Sequence, residues 1–184
     1  MKNYSDEELL SLFGDEHTRQ DAFRQIVSQY KERLYWHIRK IVIVHEDADD
    51  VLQNTLMKAW KGLLSFRQES RLYTWLYRIA TNESITHLNQ YRNKQEQSLS
   101  DVEYQLSQSL YDDVYFSGDE IQLQLQKAIL TLPEKQRIVF NMKYFDDITY
   151  EEMSEILDTS VGALKASYHH AVKKIESYIE NVKS

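Results

Sequence analysis

The stretch TYEEMSEILDTSVGALKASYHHAVKKI, which runs from Thr149 to Ile175, predicts two helices separated by a tight turn. Thr149 and Glu152 form a capping-box pattern, in which two side chains satisfy free backbone N–H groups at a helix start. The turn falls at Asp158 to Ser160, because Asp tolerates a left-handed conformation and Ser is a good N-cap for the next helix. The first helix has one apolar stripe: Met153, Ile156 and Leu157.

The second helix of this stretch is amphipathic. Its apolar residues recur three and four positions apart and form one core-facing seam: Val161, Leu164, Tyr168, Ala171, Ile175 and Tyr178. The opposite face is small and basic: Gly162, Ala163, Lys165, Ala166, Ser167, His169, His170, Lys173 and Lys174. Small side chains let a helix sit deep in the DNA major groove, and lysines beyond them meet phosphates. The pair is therefore typical of a DNA-reading helix-turn-helix; an ordinary surface helix pair is the alternative.

Composition favours an all-α protein without disulfides or thiolate metal sites. The 184 residues include 4 Gly, 1 Pro and no Cys. The longest aliphatic run, Ile41 to Val44, is far shorter than a membrane span of roughly 20 residues. The acidic, polar N-terminus does not resemble a signal peptide, so we expect a cytoplasmic protein.

The net charge argues against tight DNA binding by this chain alone. The formal charge is −7, from 22 basic and 29 acidic residues, whereas stand-alone DNA-binding domains are usually basic. Residues 95–126 contain seven acidic residues and no Lys or Arg, so this one segment carries the whole excess. Because phosphate neutralisation supplies most non-specific affinity, we expect weak binding to DNA and a partner that supplies the rest.

The acidic segment divides the chain into two parts. Helical periodicity before it predicts a short helix and three long ones, at about 5–13, 21–42, 46–64 and 70–91, with Ser70 as the N-cap of the last. After it, a helix from Ile121 to Leu132 and another with Pro133 at its first position precede the quoted pair. The predicted architecture is two small helical domains, residues 1–93 and 119–184, joined by a flexible acidic linker, residues 94–118.

Two surfaces before the linker have unusual compositions. The outer face of the second long helix aligns Asp50, Gln53, Asn54, Met57 and Lys61, and an exposed Met among polar residues suits protein docking. A solvated face with one stray Met is the alternative. The third long helix and the turn before it mix aromatic and basic groups, a combination that suits unpaired bases unless the aromatics are simply core. These residues are Phe66, Arg67, Arg71, Tyr73, Trp75, Tyr77, Arg78, Asn82, Thr86 and Asn89.

The order of these motifs resembles the extracytoplasmic-function (ECF) family of sigma factors, the two-domain initiation subunits of bacterial RNA polymerase. DADDVLQNTLMKAW (Asp47 to Trp60) is similar to the family's clamp-binding helix. YTWLYRIATN (Tyr73 to Asn82) is similar to its promoter-melting and −10-reading helix. LPEKQRIVFNMKYFDDITYEEMSEIL, followed by GALKASYHHAVKKI, is similar to its −35-reading domain.

The resemblance implies promoter-specific transcription initiation with core polymerase and assigns residues to three roles. The residues implied to contact the β′ clamp helices are Asp50, Gln53, Asn54 and Met57. The residues implied to contact the −10 element are Phe66, Arg67, Arg71, Tyr73, Trp75, Arg78, Asn82 and Thr86. The residues implied to contact the −35 element are Lys165, Ser167, His169, His170 and Lys173. The implied partners are core polymerase, through the β′ clamp helices and the β flap, promoter DNA and an anti-sigma factor; no catalytic residue, metal, cofactor or membrane insertion is implied.

The chain also departs from the family pattern. Its recognition helix has Ala163, Ala166-Ser167 and His169-His170 where Thr, Ser-Arg and His-Arg are common, and Asp158 replaces the common turn Gly. The usual arginines that face the −35 element are therefore missing, and a borrowed promoter consensus does not transfer.

Two rival hypotheses remain at this point. One is a stand-alone helix-turn-helix regulator whose N-terminal part binds a ligand or dimerises. The net negative charge and the 73–82 motif argue against it. The other is a helical metallohydrolase built on His45, Asp47, Asp49 and Asp50, whose spacing does not converge on one helical face.

Overall fold

The computed structural model describes residues 4–95 and 120–183, which form α-helices and no strand. The all-α prediction is confirmed. The predicted linker, residues 94–118, lies almost entirely outside the described residues. The helices are α1 Asp6–Gly14, α2 Arg19–Val42, α3 His45–Gly62, α4 Leu72–Gln95, α5 Glu120–Leu130, α6 Glu134–Tyr144, α7 Tyr150–Leu157 and α8 Val161–Lys183, with a 3-10 turn at Leu63–Ser65.

The predicted helix starts agree with the structure to within two residues, and the start residues proposed for α4 and α6 need correction. We predicted Ser70 as the N-cap of α4, but the helix begins at Leu72, and the Trp75 N–H donates to the Arg71 carbonyl. The start coincides with the burial of Leu72, which is 1 % exposed. Pro133 precedes α6 rather than opening it, because its ψ of 142° is extended.

Helices α1 to α4 pack around one aliphatic and aromatic core. Phe13 of α1 is 2 % exposed and meets Trp60 of α3 edge to face at 5.3 Å between ring centroids. Phe23 of α2 meets the same indole at 5.1 Å. Full burial of a ring such as that of Phe13 contributes about 1.5–3 kcal/mol relative to exposure, so the first short helix is tied firmly to the longer ones.

The C-terminal helices contain the predicted helix-turn-helix, formed by α7 and α8. Both halves of the capping box are present: the Glu152 N–H donates to Thr149 Oγ1 at 3.2 Å, and the Thr149 N–H donates to Glu152 Oε2 at 3.0 Å. Asp158 ends α7 in the left-handed region, with φ 49° and ψ 48°. Below α8, Phe140 stacks on Tyr168 with centroids 5.7 Å apart.

The two groups of helices pack against each other through α2 with α6 and α4 with α7. Apolar side chains of α6 and α7, among them Ile138, Met142 and Met153, join the same buried cluster as Leu34 and Leu76 of the N-terminal helices. The surface of α4 next to α7 is therefore covered by the helix-turn-helix.

The left-handed turn at Asp158 gives a test of local backbone energetics. Left-handed backbone costs an ordinary L residue roughly 1–2 kcal/mol and costs Gly little. Asp158→Gly should therefore be more stable than Asp158→Ala by about 1 kcal/mol in urea unfolding followed by circular dichroism. Equal stabilities, or a more stable Ala variant, would contradict the proposed role of this conformation.

Candidate functional site

The outer face of α3 is a polar stripe with one exposed methionine. On the inner face, Val51 and Ala59 are at most 1 % exposed, and the buried Thr55 hydroxyl donates to the Val51 carbonyl at 2.8 Å. The clamp-contact residues predicted from sequence all lie on the exposed side: Asp50, Gln53, Asn54 and Met57. Because Met57 is 52 % exposed, it does not contribute to the core, and the stripe is open to a partner protein.

Phe66 and Trp75 form an aromatic pair between α3 and α4, which we call the aromatic step. The rings of Phe66 and Trp75 are 5.0 Å apart with an interplanar angle of 40°, and both are half-buried. The Trp75 indole lies against Gly62, where an added Cβ would stand 2.9 Å from indole Cζ2. This close approach depends on the missing side chain. Packing fixes the two rings while leaving part of each exposed.

The exposed side of α4 continues from this step with Arg78, Asn82 and Thr86. Tyr73 points away from them, because its ring lies 5.0 Å from the Arg33 guanidinium and 4.4 Å from the Tyr77 ring. Burial raises the pKa of Tyr73 to about 12, so its phenol stays neutral. The residues assigned to the −10 element therefore do not form one surface, since Tyr73 is separate from the rest.

A cleft of about 520 Å³ separates the aromatic step from the helix-turn-helix. Arg67, Trp75 and Arg78 line one wall. Glu155 and Asp158, on or next to α7, line the other. Glu69 lines the cleft from the same segment as Arg67, so the cleft combines aromatic and cationic groups, which suit a single nucleic-acid strand, with carboxylates from both sides, which repel one.

The exposed face of α8 carries the residues assigned to the −35 element. Lys165, His169, His170 and Lys173 are exposed, and Ser167 is half-buried. The small residues at the start of the helix, Gly162 and Ala163, are also exposed, so this end presents little bulk. The positive charge is carried by lysines, which bind phosphate as point charges but lack the planar fork with which arginine reads guanine.

Tyr150 holds two cations beside this face, a feature that the sequence pattern did not reveal. The Lys165 Nζ lies 5.7 Å from its ring centroid and the Lys143 Nζ lies 5.6 Å from it. Cation–π attraction of this kind is worth about 0.5–1 kcal/mol at exposed sites. The three residues come from α6, the start of α7 and α8, so only the fold brings them together.

A buried ionic contact joins the two groups of helices. Asp146, whose side chain is 7 % exposed, accepts a hydrogen bond from the Lys40 ammonium and lies 2.9 Å from His37 Nδ1 through its Oδ2. The other imidazole nitrogen of His37 lies 2.9 Å from the Thr81 hydroxyl oxygen. Asn141 Nδ2 donates to the Lys40 carbonyl at 3.1 Å across the same boundary.

This contact is electrostatically well compensated. Burial alone raises the pKa of the Asp146 carboxyl, but the hydrogen bond from His37 and the charges of His37 and Lys40 outweigh it and hold that pKa below its usual value. The Thr81 hydroxyl in turn donates to the Tyr77 carbonyl at 2.7 Å, which holds the group next to the second His37 nitrogen in place. Removing one partner from a buried ionic contact costs about 3–5 kcal/mol. Sequence reasoning missed this contact, since its members lie 109 and 106 positions apart.

The proposed metallohydrolase residues do not converge. His45 Nε2 lies 3.6 Å from Asp49, whereas Asp47 faces His87 at 3.2 Å. Across residues 4–95 and 120–183, no group of three or more His, Cys, Asp or Glu side chains has the geometry to hold a metal ion. In the same two ranges, every helix is too short or too polar to cross a membrane.

Comparison with protein families finds two matches, one on each side of the acidic segment. Residues 26–94 match the model described as sigma-70 region 2, and residues 122–175 match sigma-70, region 4. The chain is 31% identical over 174 residues to the ECF RNA polymerase sigma factor SigW of Bacillus subtilis. The match covers 89% of this chain and 91% of SigW. It is 29% identical to the ECF sigma-E factor of Haemophilus influenzae, over 86% of this chain and 88% of that protein.

Comparison with solved structures finds the same fold. CnrH, in complex with the cytosolic domain of CnrY, matches with a TM-score of 0.69 and 20% identity, over 96% of this chain and 97% of CnrH. RpoE from Bartonella quintana, in complex with the anti-sigma factor NepR, matches with a TM-score of 0.67 and 21% identity, over 86% of this chain and 96% of that one.

The exposure of the α3 stripe predicts that its residues are dispensable for folding. Replacing Gln53, Asn54 and Met57 together by Glu should change the free energy of unfolding by less than about 1 kcal/mol, because exposed sites seldom matter more. Leu52→Glu, at a site 4 % exposed, is the matched control and should be severely destabilising. Urea unfolding measures both; a large loss in the triple variant would mean that the stripe is structural.

Proposed function

The chain belongs to the ECF family of RNA polymerase sigma factors, and on that premise we propose how its surfaces divide the work of initiation. A sigma factor binds the core enzyme of RNA polymerase and directs it to promoters. We assign residues 1–93 to clamp binding and to the −10 element, residues 94–118 to an acidic linker, and residues 119–184 to the −35 element. The observation that carries the function is the 31% identity to an ECF sigma factor over 89% of the chain.

The α3 stripe is the proposed contact with the polymerase clamp. Gln53 and Asn54 offer amide donors and acceptors, and Met57 offers an adaptable apolar surface between them. All three are exposed and lie on one helical side. The stripe thus has an apolar centre with a polar margin, as docking surfaces generally do.

The aromatic step and α4 are the proposed −10 surface. Phe66 and Trp75 stand where a base leaving the duplex can stack, and Arg67, Arg71 and Arg78 are exposed cations beside them. Asn82 and Thr86 follow on the same exposed side of the helix. Tyr73 supports this surface from behind rather than touching DNA, since Arg33 and Tyr77 occupy its ring.

The exposed face of α8 is the proposed −35 reader. Its small N-terminal residues allow close approach to the groove floor, and Lys165, His169 and His170 supply hydrogen-bond donors. Few cations are available for phosphate, so this helix depends on polymerase to hold it at the promoter. Ser167 and Lys173 complete the proposed contact surface.

The remaining proposals concern partners and location. CnrH and RpoE are seen in complexes, the latter with an anti-sigma factor, and we extend an anti-sigma partner to this chain. We place the protein in the cytoplasm, where RNA polymerase works, and assign no catalytic residue to it, because the chemistry belongs to the polymerase.

Run-off transcription tests the function directly. Core polymerase with this protein should give discrete transcripts from a genomic promoter library, whereas core alone should not. A protein that binds promoter fragments tightly by itself, with no new start sites when core is added, would instead be a stand-alone regulator.

The triple α3 variant tests the clamp contact. Gln53→Glu, Asn54→Glu and Met57→Glu together should weaken binding to core polymerase by at least about 100-fold, since interface hot spots are worth 2 kcal/mol or more each. Fluorescence anisotropy measures the affinity. Unchanged core binding by this variant would remove the stripe from the interface.

Lys165→Ala tests the −35 reader. Binding of the holoenzyme to the promoter should weaken by roughly 1–3 kcal/mol. The preference for one base at the contacted position should also be relaxed. Lys135→Ala is the matched control, because it removes the same charge from an exposed site on α6. An equal loss on all sequences, with a shallower salt dependence, would make Lys165 a phosphate contact only.

A further inference from the structure

Gly62, the last residue of α3, lies against the six-membered ring of the Trp75 indole. A Cβ atom added at Gly62 would stand 2.9 Å from indole Cζ2 and 3.3 Å from Cη2. Packed carbon atoms are normally about 3.5–4.0 Å apart, so the ring and a methyl group could not both keep these places. At Gly14 and Gly162, the other glycines in residues 4–95 and 120–183, an added Cβ would meet nothing within 4 Å.

The backbone at Gly62 does not itself require a glycine. Its φ of −84° and ψ of −22° are right-handed helical values, which any L residue adopts. Glycine in a helix lowers stability relative to alanine, because it loses more conformational freedom on folding. The missing side chain is therefore accounted for by the space that the indole takes.

The segments on both sides of this contact are held by the core. Leu76 of α4, next to Trp75 in sequence, is 0 % exposed, and Leu63, which follows Gly62, is 4 % exposed. The Trp75 indole is only half-buried, so the far end of its ring has room to move. A side chain at Gly62 would therefore displace the ring and leave the two backbones in place.

The segment that follows Gly62 also brings Phe66 onto the indole. The Ser65 hydroxyl donates to the Gly62 carbonyl at 3.0 Å, and the Phe66 N–H donates to the Leu63 carbonyl at 3.2 Å. These bonds close the 3-10 turn and leave the Phe66 ring 5.0 Å from that of Trp75. Because Gly62 and Phe66 both contact the indole, a ring displaced from Gly62 also changes its geometry with Phe66.

We propose that Gly62 is a positioning residue for the −10 element, because the space it leaves sets the depth of Trp75 and so the geometry in which the aromatic step stacks an unpaired base. Restoring ordinary contact with a Cβ atom would move the indole by about 0.5–1 Å. Misplacement on this scale is enough to impair a functional group. The proposal rests on the assignment of Phe66 and Trp75 to the −10 element and adds a residue that acts through Trp75.

The first test measures strand binding by the holoenzyme. The probe is a fluorescein-labelled single-stranded oligonucleotide that carries the −10 element of a promoter found by run-off transcription. Gly62→Ala should weaken its binding by about fivefold, at the low end of the loss of one stacked base, and should leave the affinity for core polymerase unchanged. Gly14→Ala, where an added Cβ meets nothing, is the matched control and should bind as the parent does.

The second test asks whether Gly62 acts through the indole. Phe in place of Trp75 lacks the two ring atoms that the added Cβ would meet. In a Trp75→Phe background, Gly62→Ala should therefore cause no further loss of oligonucleotide binding. In protein labelled with 5-fluorotryptophan, the fluorine resonance of Trp75, assigned with Trp75→Phe among the 3 Trp of the chain, should shift with Gly62→Ala and not with Gly14→Ala.

Urea unfolding separates this positioning role from a role in folding. The unfolding midpoint of Gly62→Ala should equal or exceed that of the parent, because the ring yields and the helix gains a better helix former. A clearly lower midpoint would overturn the proposal, since the helices and not the ring would then take up the added Cβ.

Trp75→Ala in the oligonucleotide assay distinguishes a failure of this role from a failure of the −10 assignment. Weaker binding by Trp75→Ala with unchanged binding by Gly62→Ala would overturn the role of Gly62 alone. Unchanged binding by Trp75→Ala would remove the −10 assignment of Trp75, and the role of Gly62 with it. An equal loss from Gly62→Ala in the Trp75→Phe background would also overturn the proposal, since Gly62 would then act without the indole.

Discussion

A buried carboxylate must be compensated or it destabilises the fold, and Asp146 meets that constraint with groups from the other half of the chain. His37 and Lys40 lie on α2, far away in sequence, and no local pattern pairs them with Asp146. Once this contact forms, α6 lies on α2, α7 lies on α4, and the acidic edge of α7 faces the aromatic step. Together with the apolar cluster that the two groups of helices share, this interaction sets the positions of both candidate DNA surfaces relative to each other.

The two proposed DNA surfaces carry few uncompensated cations. The α8 face has lysines and histidines but no arginine, and Arg71 lies 3.6 Å from Glu152 of α7. A chain with a net charge of −7 has little general attraction to nucleic acid. In the proposed function, recognition therefore depends on polymerase to hold these surfaces on the promoter.

Local patterns in the sequence predicted the helices and their faces well. The capping box at Thr149 and Glu152, the left-handed Asp158 and the exposed α3 stripe all follow from interactions within four residues. The predicted helix starts at Ser70 and Pro133 were less accurate. Burial of Leu72 sets the start of α4, and the extended backbone of Pro133 puts that residue before α6. The Asp146 contact and the Tyr150 cation pair were missed, because each depends on side chains that only tertiary packing brings together. The orientation of Tyr73 was also missed, although its spacing from Trp75 puts the two on different helical faces and its ring packs on Tyr77, four residues along the same helix.

The most direct test of this account compares the free energies of unfolding of Asp146→Asn and Asp147→Asn in urea. Asp146→Asn should lose about 3–5 kcal/mol, because it leaves His37 and Lys40 without their buried partner, whereas Asp147→Asn, at a side chain 96% exposed, should change little. Equal stabilities of the two variants would contradict the central role of the Asp146 contact.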